Sequence, residues 1–238
     1  YLPGYRAGGP IRSISNLVDR LGDEMMFRVV TMDRDISDSS PYAAVEMDRW
    51  NPVGKAHVLY TSPAARSLRR MARLLRDTAH DVIYLNSILD PAFTLRVLLL
   101  RRLGVVPVKP IVIAPRGEFS PGAWRLKRWK KEPYLRSLRL LGALRGVRWQ
   151  ASSELERDDI VLAMRMNAVE GLRESILIAP NLAPSSDVIH DNEAQYPRPA
   201  GEPLRVSFLS RISPKKNLDY ALRVLQRVRV PVRFSIYG

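Results

Sequence analysis

The 238 residues carry 38 Lys and Arg against 24 Asp and Glu, a formal net charge of +14, with 46% hydrophobic content; that is the composition of an ordinary globular protein, not of a disordered or fibrous one. The chain has no cysteine, which excludes disulfides, thiolate metal sites and cysteine nucleophiles, and its three scattered histidines, His57, His80 and His190, offer no metal-ligand spacing. No apolar run reaches the roughly 18 residues of a membrane span, because the best candidate, 93–103, is broken by Arg96, Arg101 and Arg102.

The chain begins at Tyr1 with no signal-peptide pattern, so it reads as a piece of a longer protein in a cytosolic setting. The positive balance favours polyanions: nucleotide phosphates, anionic lipid head groups or nucleic acid. Only seven of the basic residues are lysines, so a general preference for arginine accounts for part of the charge but not for its clustering.

In chain order, Gly8-Gly9-Pro10 opens a predicted helix over 11–21. Glycines before a helix N-terminus let backbone N–H groups approach a phosphate, although a glycine pair there also serves as plain turn chemistry. A strand follows at 27–32 and ends at Asp33-Arg34-Asp35. The acid at that place invites a ribose-binding role with NAD, but the G-x-G-x-x-G fingerprint is missing. The same triplet matches the two-carboxylate pattern of metal-dependent sugar transferases, and a solvated strand end is the preferred reading.

Next come a strand at 58–61, a helix at 64–79, a strand at 81–87, a helix at 92–103 and a strand at 111–114. Pro10, Pro63 and Pro91 stand at first-turn positions and Gly104 lies just past a helix end. The loop after 111–114 carries Arg116 and Glu118. Ligands of open parallel sheets bind at that strand end; Arg116 offers an anion fork and Glu118 a carboxylate for a sugar hydroxyl or proton transfer. An Arg–Glu pair bracing a glycine turn is the structural alternative.

Residues 124–149 hold nine basic residues against one acid, Glu132, interleaved with tryptophans and leucines. Trp124, Lys127, Arg128, Lys130 and Lys131 are the candidates for contact with an anionic membrane surface, unless the leucines simply face a core and the arginines water. A strand at 147–151, a helix at 153–166 and a strand at 176–179 complete an alternation that predicts an α/β domain, a doubly wound parallel sheet with helices on both faces.

The pattern stops near Asn181. Residues 182–203 are rich in Pro, Ser and Gly with little apolar content, a linker composition. It restarts with a strand at 204–209, a loop, a helix at 218–228 and a strand at 232–237. The loop holds Arg211, Lys215 and Lys216 before a helix N-terminus, which suits binding a diphosphate and stabilising it as a leaving group. The expected organisation is therefore a first domain over 1–181 that lacks its opening strand, a linker over 182–203, and the truncated start of a second domain over 204–238.

Taken together, the segments at 2–13, 114–123 with Lys127 and the Lys130-Lys131 pair, 151–154 and 208–218 resemble glycosyltransferase family 4, the retaining nucleotide-sugar transferases with two facing Rossmann-like domains (the GT-B arrangement), and especially its branch that builds bacterial capsule, exopolysaccharide or O-antigen chains. The resemblance implies a cleft in which Gly8 and Gly9 approach the donor diphosphate while Arg211 and Lys216 grip it. The acceptor, a glycan or lipid-linked sugar, would lie near Arg116 and Glu118. It also implies metal independence and no cofactor beyond the nucleotide-sugar substrate. Two departures stand out: Arg116 replaces a histidine that many members carry, and Leu182 follows Asn181 where the hinge turn usually has glycine. The family's paired sugar-binding glutamates would lie beyond Gly238, so the 238 residues alone are expected to be inactive. The rival readings are a sugar-nucleotide epimerase of the same architecture and a basic nucleic-acid-binding module, for which no recognised motif speaks.

Overall fold

A computed structural model describes residues 1–165, 175–184, 201–210, 212–213 and 216–237. The chain divides into two compact units, Tyr1–Ser186 and Asp187–Gly238.

The first unit alternates strands and helices, and its strands form two sheets rather than the single sheet expected. Helix α1 (Gly9–Leu21) precedes β1 (Phe27–Met32), β2 (Trp50–Val53) and β3 (Ala56–Thr61), which order as β1-β3-β2. β1 and β3 run parallel, whereas β2 returns antiparallel to β3 through the Gly54-Lys55 turn. Gly54 has φ +56°, a conformation that glycine adopts without penalty, as a two-residue hairpin needs. Pro52 cannot donate to a ladder, so β2 is an edge strand by chemistry.

Helix α2 (Leu68–Asp77) leads to the second sheet, with β4 (Ile83–Asn86), β5 (Ile111–Ala114), β6 (Val147–Ala151) and β7 (Ile176–Ile178) adjacent in that order and all parallel. The crossovers are a π-helical turn at Pro91–Leu95 running into α3 (Arg96–Arg102), then α4 (Pro121–Arg125) with α5 (Arg128–Leu140), then α6 (Glu154–Arg165). Local chemistry moves the predicted boundaries. Ser67 Oγ accepts from Arg70 N and starts α2 at Leu68. Asp90 accepts from Ala92 N and Phe93 N, so the turn at Pro91 opens widely before α3 begins.

The core is continuous from β5 and β6 into α3, α5 and α6: Ile111, Ile113, Trp149, Leu98, Leu135, Leu138, Ile160 and Met164 are all buried within one cluster. In β6, Val147, Trp149 and Ala151 are buried while Arg148 is exposed. Gln150, on the same face as Arg148, is half-buried, so one face of this strand is the better covered. The second unit contributes β8 (Leu204–Leu209), α7 (Leu218–Leu225) and β9 (Val232–Tyr237), with β8 and β9 parallel. None of its described residues is buried.

Candidate functional site

Parallel strands deliver their loops to one edge, so residues far apart in sequence meet at the C-terminal ends of β4 to β7. Arg116, two residues past β5, sits at φ +55°, a left-handed conformation that costs a non-glycine residue about 1–2 kcal/mol. Hydrogen bonds hold it there. Its Nε donates to Asn86 Oδ1 at 2.7 Å and one Nη to the Tyr84 hydroxyl at 2.7 Å; the other Nη donates to Asn181 Oδ1. Tyr84 in turn donates to Gln150 Oε1. The guanidinium thus spans β4, β5, β6 and the exit of β7, and all three of its acceptors are neutral. Among the described residues three of its five N–H groups are used.

Beside it, Glu156 is buried and accepts from Gly117 N at 2.6 Å, Ser152 N at 2.8 Å and Ser152 Oγ at 2.5 Å. Asp159 lies one turn further along α6, where burial, followed by the nearby charges of Glu156 and Asp158, pushes its carboxyl above the usual range. Across from them α1 begins with Gly8 at φ +66°, no side-chain cap and no acid in the first turn, so nothing in the helix's own first turn compensates its first N–H groups and positive dipole end. Asn16 of α1 donates to Leu182 O at 2.8 Å, fixing the helix to the exit of β7. These groups enclose a hollow of about 320 Å³, lined by Gly9, Pro10, Ser13, Arg116, Gly117, Ser152, Ser153, Leu155, Glu156, Asp159 and Asn181. A Cβ built on Gly9 would meet nothing within 4 Å, so a ligand has open approach to the backbone there. A larger hollow of about 420 Å³ between α2 and the β2–β3 ribbon shares no residue with it.

The sequence expectations are met unevenly. Arg116 and Gly9 line the hollow; Gly8 caps the helix beside it. Glu118 does not line it. Its carboxylate accepts from Ser87 Oγ at 2.6 Å and Ile88 N at 2.8 Å, so it braces the loop after β4, where Ser87 stands at φ +125°. Burial pushes the Glu118 carboxyl up against those hydrogen bonds. The carboxylates at the hollow are Glu156 and Asp159, which sequence reasoning missed; their only signal was position, in the first turns of the helix after a central strand.

Asp33 and Asp35 are not a solvated strand end. Both are buried. Asp33 is paired with Arg34 at 2.9 Å, which holds its carboxyl below the usual range. Asp35 accepts from Tyr5 N, Arg6 N and Ile36 N at 2.7, 3.0 and 2.8 Å. Among the described residues no group of three His, Asp or Glu could hold a metal.

Of the membrane candidates, Trp124 is 8% exposed and packs on Phe119 with ring centroids 5.6 Å apart. Lys131 donates to Ala123 O at 2.6 Å with its ammonium 6.0 Å from the Trp124 ring. Lys127 caps α5 in a left-handed conformation, and Arg128 pairs with Glu132 at 2.5 Å. Trp129 is 72% exposed, with the Lys130 ammonium 4.8 Å from its ring. In the second unit Lys216 is exposed ahead of α7, whose cap Asn217 makes no side-chain bond; Arg211 and Lys215 lie outside the described residues.

No family model matches the chain, and neither the curated proteins nor the solved structures return a match.

Proposed function

We propose that the chain is part of a metal-independent glycosyltransferase of the GT-B type, transferring a sugar from a nucleotide diphosphate to a glycan or lipid-linked acceptor. One observation carries the reading: at the C-terminal edge of a parallel sheet, a guanidinium held, among the described residues, only by neutral acceptors shares a hollow with a helix N-terminus that has no side-chain cap. Fixed N–H groups and an arginine fork are the complement of a phosphate oxygen, and they stabilise the charge that grows on a departing diphosphate. Asp159, whose carboxyl titrates above its usual range, serves to hold or take the proton of an acceptor hydroxyl. Glu156 keeps the loops of β5 and β6 in register around it. The basic loop with Lys216 and Arg211 is the second unit's own phosphate-binding candidate, and attachment to the cytoplasmic face of a membrane belongs to the same reading.

Calorimetric titration of the chain with UDP, GDP and their sugar conjugates tests it. Arg116→Ala is expected to weaken binding by on the order of 2 kcal/mol, about thirtyfold, the loss of a charge-assisted pair. Equal affinity of the wild type and Arg116→Ala for every nucleotide tested places the phosphate elsewhere and overturns the reading.

A further inference from the structure

At the opposite edge of the parallel sheet, where β5 and β6 begin, α3 and α5 end together. Arg102 Nε donates to Leu141 O at 2.7 Å and Arg101 Nη1 to Arg145 O at 2.8 Å. These bonds complete the open carbonyls where α5 ends and its turn follows. The corner holds more cation than that task uses. A Cβ on Gly142 would lie 3.2 Å from Arg102 Nε and 3.5 Å from Arg145 Nε, and one on Gly146 would lie 3.3 Å from Arg101 Nη2. Three guanidinium groups therefore meet over one short turn. Arg101 Nε and Arg139 Nη1, the latter in the last turn of α5, are buried without an acceptor. Among the described residues none of Arg101, Arg102, Arg139 and Arg145 has a carboxylate within ion-pair distance.

Clustered like charges with unmet N–H groups are unfavourable without an anion. Each of the two carbonyl bonds uses one of five guanidinium donors; among the described residues Arg145 and the Nη groups of Arg102, both exposed, have no acceptor, and a tetrahedral oxyanion matches the arginine fork. The same corner displays apolar side chains to solvent: Leu103, Leu140 and Leu141 are 73%, 75% and 52% exposed. Arginines beside protruding leucines suit a lipid phosphate with its acyl boundary underneath, more than a free anion.

We propose that Arg101, Arg102 and Arg145 form a binding site for the phosphate of an anionic phospholipid, with Leu103, Leu140 and Leu141 entering the headgroup layer. This rests on the peripheral-membrane part of the proposed function and is independent of the transferase part. It also relocates the contact, from the stretch at Trp124 to Lys131 to the end of α5.

Cosedimentation with vesicles of phosphatidylglycerol in phosphatidylcholine, against phosphatidylcholine alone, tests it. The wild type is expected to bind the anionic vesicles and to lose binding as salt rises. Arg145→Gln leaves both carbonyl bonds in place and weakens partition about fivefold; Arg102→Gln with Arg145→Gln weakens it about twenty-fivefold. Leu140→Ser, at an exposed position, weakens it on the order of tenfold. Wild-type partition in Arg145→Gln and Leu140→Ser, with binding lost instead in Lys127→Gln/Lys130→Gln, overturns this assignment alone. No binding by the wild type overturns the peripheral reading with it. If millimolar inorganic phosphate displaces the chain fully while Leu140→Ser changes nothing, the corner takes a free anion and the lipid assignment falls.

Discussion

Arg116 shows how much of a single position the sequence can reveal. Its place after a central strand marked it as an anion fork, and it lines the hollow. What stayed hidden were its holders, Tyr84, Asn86 and Asn181, because only the stacking of β4 to β7 brings Arg116 against residues up to 65 positions away in one hydrogen-bond set. Glu156 and Asp159 were illegible for a related reason. They stand in an ordinary charged helix start, and it is the N–H of Gly117, 39 residues away, that marks Glu156 as part of the site. Asp35 supports a prediction at this scale. Burial disfavours its charge, yet three backbone N–H groups hold its carboxyl below the usual 3.8. A depressed carboxyl contributes stability that is present above the unfolded value and lost as pH falls through the folded one. Asp35→Asn is therefore expected to cost about 1–3 kcal/mol at neutral pH and to flatten the loss of stability below about pH 4. Urea unfolding at a series of pH values measures both; an unchanged acid limb removes Asp35 from the account.

Among the elements, periodicity located β5 and β6 to the residue, since buried Val, Ile and Ala between turn signals leave little choice. It failed at β2, a four-residue strand containing Pro52, whose pairing is decided by its neighbour β3 and not by its own propensity. The stretch around Lys127 was legible as cationic and helical, but its break into α4 and α5 was not. Lys127 stands at φ +54°, and its carbonyl accepts from Lys130 N and Lys131 N. The backbone at this exposed position wants glycine. Lys127→Gly is expected to stabilise the chain by about 0.5–1 kcal/mol, the relief of the left-handed strain less the entropy glycine adds. A higher melting temperature in thermal unfolding is the expected result, and a lower one shows that the lysine side chain itself holds the junction.

For the molecule as a whole, the two units differ in how they are held. The first has a cluster of buried side chains running through four strands and five helices. The second, among its described residues, exposes Leu209, Tyr220 and Tyr237 and buries none fully. Local opening is easy where few apolar contacts resist it. Amides of β8 and β9 are expected to exchange at least a hundredfold faster than those of β5 and β6 in hydrogen–deuterium exchange, and equal protection contradicts this account. The chain divides between Ser186 and Asp187, and most of the stretch at 182–203 that was expected to be a linker lies outside the described residues. The separation of the first unit's strands into two sheets was not legible, because strand order depends on contacts between elements that periodicity does not encode.

The aromatic side chains of α4, α5 and β6 have a spectroscopic consequence. Trp149 is sealed beside Phe119 with centroids 6.4 Å apart and Trp124 packs on the same ring at 5.6 Å, whereas Trp129 stands in water. Indole emission shifts to shorter wavelength in an apolar cage and to longer wavelength in solvent. The chain thus carries a blue pair that reports on the integrity of the first unit and two redder indoles, Trp50 and Trp129, of which a dissolved quencher reaches Trp129 first, so unfolding and a change of surroundings at the start of α5 leave separate marks in one fluorescence spectrum.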